Sequence, residues 1–134
     1  MKGATEVVTQ GAAEMEMTEV RYLRGVGQAL DMLRQKDTTM SIQAAVVFLD
    51  VATHEGGGIA GIVERTGMPS STVSRSLSYL GRFAKFQQAG MDWVRSSEDP
   101  QDRRSKIVEL TPQGKKLAAA LTDALKTALA EKPE

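Results

Sequence analysis

The sequence contains no cysteine, which excludes thiol nucleophiles, disulfides and cysteine-ligated metal centres. Histidine is nearly absent as well. His54 is the single one, so a nucleophile–histidine triad or a multi-histidine metal site lacks its material. Aromatic residues make up 4% of the chain, namely Tyr22, Phe48, Tyr79, Phe83, Phe86 and Trp93. Aliphatic and methionine side chains must therefore fill the core. Long apolar runs are missing too. The longest, AAVVFL beginning at Ala44, falls far short of the roughly 20 residues that cross a bilayer. The N-terminal MKGATEVVTQGAAEMEM has no apolar centre of signal-peptide type. The expectation is a cytoplasmic protein. Net charge is also lacking, since 17 basic and 17 acidic residues cancel, which argues against indiscriminate binding to polyanions.

What is present is organised. A chain of 134 residues suits one domain with a modest core. Residues 1–17 are small, polar and acidic and read as a flexible tail. Thr18 can cap a helix to about Lys36, on which Leu23, Val26, Leu30 and Leu33 form one apolar stripe; Gly25 and Gly27 weaken it but let another helix approach closely. Ser41 is a good N-cap for IQAAVVFLDVATH, whose apolar middle predicts a buried helix ending at Gly56-Gly57-Gly58. That glycine triplet reads as a linker or cap. His54 falls at the helix C-terminus, where a partly charged imidazole suits the helix dipole, and Asp50 and Glu55 read as solvated. IAGIVERT forms a short third helix stopped by Gly67. A fourth is predicted from about Ser71 to Gln87. MDWVRSS and RSKIVEL are strand candidates around the polar EDPQD. Thr111 then caps a last helix with Pro112 at its first position and a stripe of Leu117, Leu121, Leu125 and Ala128.

Three features in that order carry chemistry. The first is the fourth helix. At about 100° per residue, Val73, Leu77, Leu80 and Ala84 share one face, and Ser71, Arg75, Ser78 and Arg82 share the opposite one. No acid occurs between Glu64 and Asp92, while Arg65, Arg75, Arg82 and Lys85 do. An ordinary solvated face mixes Glu with Lys; this one combines small hydroxyls with long planar donors. Such a face can enter the major groove of duplex DNA, where an arginine fork matches the acceptors on a guanine edge. The free N–H groups near Ser70, Ser71 and Thr72 can hold a phosphate. The second feature is the junction before it, IAGIVERTGMPSSTVSRSL, which has the pattern of a helix-turn-helix with Gly67 in the turn. The third is a hairpin with Arg103 and Arg104 at its tip. An arginine there can enter a minor groove, where narrow regions concentrate negative potential. Asp102 can hold it extended by a charge-assisted bond, and Lys106 can approach phosphates.

The stretch Asp102-x-Arg104 followed by Leu110-Thr111, with TPQG after it and TGMPSSTVSRSL before it, resembles the MarR family of winged helix-turn-helix transcription regulators over about residues 38–118. The resemblance implies a mainly α fold with a small β-hairpin: a winged helix-turn-helix with flanking dimerisation helices. On that reading residues 18–134 are one domain, 59–83 the helix-turn-helix, 91–110 the wing, and 18–36 and 112–131 the dimerisation helices. Carried onto matched positions, Ser70, Ser71, Thr72, Ser74, Arg75, Ser78 and Arg82 face double-stranded DNA. Asp102, Arg103, Arg104 and Lys106 form the wing contact. The partner implied is an inverted-repeat operator bound by a homodimer that acts as a repressor, with no cofactor, no metal, no membrane and no catalytic activity; whether a small-molecule effector exists is left open. The sequence departs from the family pattern in three ways. GRFAKFQQAGMDWV is about six residues longer than the usual link into the wing, so the fourth helix projects further or bends before Gly90. The stretch after Thr111 is short, which reduces the dimerisation region. The aromatics of an effector pocket are scarce. With zero net charge, a winged-helix module for protein contact is the competing expectation.

Overall fold

The computed structural model describes residues 16–82 and 89–130. The tail expected over 1–17 falls almost wholly outside the described residues, as do Ala84 and the last turns of the long fourth helix. The elements run α1 (Met17–Lys36), α2 (Ile42–Thr53), β1 (Gly57–Gly58), α3 (Ile59–Thr66), α4 (Ser70–Leu80), β2 (Val94–Asp99), β3 (Asp102–Leu110) and α5 (Pro112–Ala130). The chain forms two compact units. One spans Thr39–Ala118, and the other combines the residues before it with those from Ala119 onward.

In the unit Thr39–Ala118, α2, α3 and α4 pack on one another and on a three-stranded antiparallel sheet of order β1-β3-β2. Ser41 caps α2 as its sequence suggests, its Oγ accepting from the Ala44 N–H at 3.1 Å. The inner face of α2 buries Ala44, Ala45, Val47, Phe48 and Val51. The helix is not buried all round, however: Ile42, Val46 and Leu49 lie outward at 67%, 39% and 44% exposure. Phe48 meets Trp93 edge to face, with ring centroids 5.4 Å apart, the offset geometry that aromatic quadrupoles favour. Ile62, Val73, Leu80, Val94 and Val108 complete a nearly dry centre. Burying each such side chain stabilises the fold by about 1.5–3 kcal/mol.

Three sequence expectations are corrected or extended here. Gly58 does serve as a cap, the N-cap of α3 in extended backbone, but Gly57 and Gly58 also form strand β1, paired with Val108 and Ile107 of β3. Asp50 is not solvated. Its side chain is 10% exposed, and Arg65 grips it with Nε 3.0 Å from Oδ1 and Nη2 2.8 Å from Oδ2. That bond, before all else, raises the pKa of the Arg65 guanidinium. Glu55 is exposed as expected, and its Oε2 also accepts the Leu110 backbone N–H at 2.9 Å. His54 does cap α2, with Nδ1 3.2 Å from the Asp50 carbonyl.

The start of α5 explains the TPQG stretch atom by atom. Thr111 Oγ1 accepts the Gly114 N–H at 3.0 Å and donates to the Asp92 carbonyl at 2.6 Å. The Thr111 N–H donates to the Trp93 carbonyl at 3.0 Å. The first turn of α5 thus rides directly on the backbone that enters the wing. A Cβ at position 114 would overlap the Trp93 carbonyl oxygen, so glycine is the residue that permits the approach. Asp92 itself has φ +57°, a left-handed turn held by its bond from Thr111.

In the other unit, α1 packs through buried Gly25 against Leu125 and Ala128 of α5. Leu121 and Ala128 are buried as their stripe predicts. The α1 stripe behaves differently. Leu33 is buried, but Leu23, Val26 and Leu30 are 45–55% exposed, with Tyr22 beside them at 54%. Near the helix end, Asp31 accepts from Arg34 Nε at 2.7 Å and Gln35 Nε2 at 2.8 Å. The Arg34 bond first, then that of Gln35, holds the Asp31 carboxyl below the ordinary carboxylate range. Among the described residues, no helix is long and apolar enough to cross a membrane.

Candidate nucleic-acid interface

The α3–α4 junction is a tight turn of three residues, and each has a physical reason. Gly67 closes α3 in the left-handed region at φ +73°, its N–H donating to the Val63 carbonyl at 2.9 Å, a conformation that costs other residues a Cβ clash. Thr66 Oγ1 donates to the Ile62 carbonyl at 2.7 Å and accepts the Met68 N–H at 3.2 Å. Pro69 sits at the N-cap of α4 with extended backbone. No side chain caps α4, so the first N–H groups of the helix have no partner a turn earlier.

From there the apolar spacing acts. Val73, Leu77 and Leu80 are buried, joined by Ser76. Ser70, Ser71, Ser74, Arg75 and Arg82 are exposed, while Thr72 and Ser78 are half-buried. Arg75 Nη2 reaches Thr72 Oγ1 at 3.4 Å, a long and weak bond that leaves the guanidinium at the surface. No carboxylate lies on α4. Arg65, another arginine of this acid-free stretch, has its charge matched by Asp50.

The helix is shorter than its sequence pattern implies. It ends at Leu80, and Gly81 continues in extended backbone. The chain that returns after the long link pairs with this end: Met91 N–H donates to the Tyr79 carbonyl at 3.1 Å, Asp92 N–H to Gly81 at 2.9 Å, and Trp93 N–H to Leu80 at 2.8 Å. These bonds satisfy the last carbonyls of α4, and at Gly81 they compete successfully with another helical turn. Arg82 accordingly lies past the helix end, and the extra link residues do not lengthen the described part of α4.

The wing is the β2–β3 hairpin. Beyond buried Val94, residues Arg95–Glu98 are all exposed, as are Lys106, which pairs with Glu98, and Ser105 next to it. Toward its tip the hairpin therefore stands in solvent, while Val108, opposite Ser96, stays in the core. Arg95 pairs across it with Glu109, Nε to Oε1 at 3.0 Å. The tip differs from its expected form. Pro100 and Gln101 make the turn, with the Gln101 N–H on Asp99 Oδ1 at 2.9 Å, while Asp102, Arg103 and Arg104 already belong to β3. Register jumps from Glu98↔Lys106 to Asp99↔Asp102, so Arg103, Arg104 and Ser105 oppose no residue of β2. Such a bulge leaves the extra residues outside the regular ladder of strand pairing. Asp102 Oδ2 accepts from Ser105 Oγ at 3.2 Å. The side chains of Arg103 and Arg104 lie outside the described part of the structure. The expected site residues thus fall into two groups, one on and just after α4, the other on the bulged start of β3.

Neither a protein-family model nor a curated protein matches the sequence. Solved structures do match the fold. RV1404 from Mycobacterium tuberculosis aligns over 85% of this chain and 71% of its own, with TM-score 0.65 and 20% identity. An S. aureus MepR mutant bound to an oligodeoxyribonucleotide aligns over 81% and 79%, with TM-score 0.59 and 21% identity. MarR itself aligns over 81% and 71%, with TM-score 0.55 and 17% identity. The chain has the MarR-type winged-helix fold. In that fold α3 and α4 are the helix-turn-helix and β2–β3 the wing, as the motifs around Gly67 and Asp102 imply. What the sequence reading missed was β1 and the Asp50–Arg65 grip. Glycines carry no strand pattern, and the ion pair joins residues on different helices.

Proposed function

We propose that this protein is a sequence-specific regulator of transcription that binds double-stranded DNA, and that it represses by occupying an inverted-repeat operator as a homodimer. The observation that carries this is the outer face of α4. It presents Ser70, Ser71, Ser74 and Arg75 to solvent with no carboxylate on the helix. Small hydroxyls permit close approach to a groove about 12 Å wide, and Arg75 is long enough to reach a guanine edge. Ser70, Ser71 and Thr72 offer the uncapped N–H groups of the helix start to a phosphate. Ser78 and Arg82 extend the same contact. Arg104 enters the flanking minor groove, positioned by Asp102, with Arg103 and Lys106 near the backbone. The bulge under Arg103 and Arg104 supports this, because it frees both from strand pairing. A protein of the same fold has been captured with an oligodeoxyribonucleotide.

The homodimer is supported by the exposed α1 row of Tyr22, Leu23, Val26 and Leu30. A monomer rarely leaves a contiguous apolar row of this kind in water, and a second copy would cover it. On this reading 18–36 and 112–131 are dimerisation helices, 59–83 and 91–110 the DNA-reading parts, and the protein works in the cytoplasm without catalysis. Selection of bound duplexes from a random pool, repeated at two salt concentrations, tests the assignment. Enrichment of an inverted repeat with salt-dependent affinity supports it. A pool that stays random, with retention only of protein partners, supports the protein-contact module instead.

A further inference from the structure

A cavity of about 240 Å³ opens between the first turn of α2 and the outer side of α4. That is the volume of roughly eight liquid waters. Its walls include Thr39, Ser41, Gln43, Thr72, Arg75 and Tyr79, and none of its lining residues is a carboxylate. The lining is unlike an apolar ligand pocket. It is a ring of hydroxyl and amide groups around one guanidinium.

We propose that this cavity seats one phosphate of the DNA backbone, which makes the start of α2 a third DNA-contacting element beside α4 and the wing. The inference rests on the reading of the chain as a DNA-binding regulator. Three observations converge on an anion. Arg75 brings the one formal charge, and among the described residues its side chain makes a single long hydrogen bond, to the Thr72 hydroxyl at 3.4 Å. Ser41 Oγ accepts from Ala44 N–H, so its own O–H points its donor elsewhere. The N–H groups of Ile42 and Gln43 precede the first intrahelical acceptor and give α2 the partial positive end that suits an anion. Gln43 and Thr39 are exposed at the cavity rim, so a phosphate on a duplex can reach it without the fold opening. A consequence for Arg75 follows. With one edge of its fork at the cavity and the rest at the groove, it couples register on the backbone to reading of the bases, as phosphate contacts position what base contacts specify.

The test uses Gln43→Glu in the full-length protein. Glutamate in the first helical turn suits the dipole, so the fold is kept, while a carboxylate enters the cavity rim. Affinity is measured for a selected duplex and for a scrambled one across a salt series. The expected result is a loss of roughly tenfold that is equal on both duplexes, with the salt slope reduced by about one per half-site. A duplex with a single neutral methylphosphonate at the contacted position should bind wild type and variant alike. If wild type binds the selected duplex and the variant matches it in affinity and slope, the cavity assignment is overturned while the DNA-binding reading stands. If wild type discriminates no duplex, that reading itself fails. A titration with inorganic phosphate separates the remaining source: chemical-shift changes around Ser41 and Arg75 with unchanged DNA affinity of the variant would assign the site to a free anion and overturn the backbone seat.

Discussion

Gly114 offers a sharp quantitative test of how the wing is fixed to α5. In the first turn of a helix, Gly→Ala alone gains up to about 1 kcal/mol from backbone entropy. At this position the added Cβ meets the Trp93 carbonyl oxygen, its carbon and its Cα. These are backbone atoms, so they cannot step aside as a side chain does. Overpacking of this type costs about 1–3 kcal/mol. Pushing the turn away also breaks the cap from Thr111 to the Gly114 N–H, worth about 1 kcal/mol. The net expectation for Gly114→Ala is a destabilisation of about 1–3 kcal/mol, or on the order of 10 °C in Tm for a domain of this size. Gly27 is the control. A Cβ there meets nothing within 4 Å, so Gly27→Ala should stabilise by up to about 1 kcal/mol. Urea unfolding followed by circular dichroism reads both, with the slope m expected to stay constant. Equal shifts of the same sign at the two positions would refute the close-approach argument.

Other expectations follow from the same geometry. Asp50→Asn and Arg65→Gln should each lower the urea midpoint, and the double variant should be no worse than the poorer single one, because both remove one interaction; full additivity in the cycle would deny the coupling. Arg34→Gln should raise the Asp31 pKa, since the Arg34 bond is the largest cause of its depression. The stability this carboxylate contributes is present above its unfolded pKa and is lost as pH falls through the depressed folded value. The effect is confined to the acid limb, and carboxyl chemical shifts against pH would reveal it; an unmoved titration curve counts against it. Arg104→Ala should weaken DNA binding most on A·T-rich flanks, whose minor groove is narrow. An equal loss on every flank leaves only a phosphate contact.

Much of this fold is legible in the sequence because its punctuation is local. Ser41, Gly67 and the Thr111-Pro112 pair each act on their own helix within a turn, so their effects are visible at short range. The Val73, Leu77 and Leu80 spacing likewise sorted the inner from the outer face of α4. The errors have a common origin in partners far along the chain. β1 exists because Gly57 and Gly58 meet Val108 and Ile107, and glycines show no alternation to betray it. The amphipathic pattern past Gly81 suggested more helix, but backbone bonds from Met91, Asp92 and Trp93 end it. Arg65 counts toward the basic stretch between Glu64 and Asp92 in the sequence, yet Asp50 on another helix matches its charge. The hairpin itself is legible in its two strand-forming runs, whereas the turn at Pro100-Gln101 and the bulge beyond it depend on strand register that composition does not encode.

The central claim is that the Ser/Arg face of α4 reads bases, and one paired titration addresses it most directly. Wild type and Arg75→Ala are compared on the selected duplex and on a set carrying each single base change in one half-site. Wild type should lose about 1–3 kcal/mol at one particular base pair, and the variant should bind all four bases there nearly alike while keeping its preferences elsewhere. If instead the variant retains the full wild-type pattern of base preferences, Arg75 does not face the groove and the interface assigned to α4 is wrong.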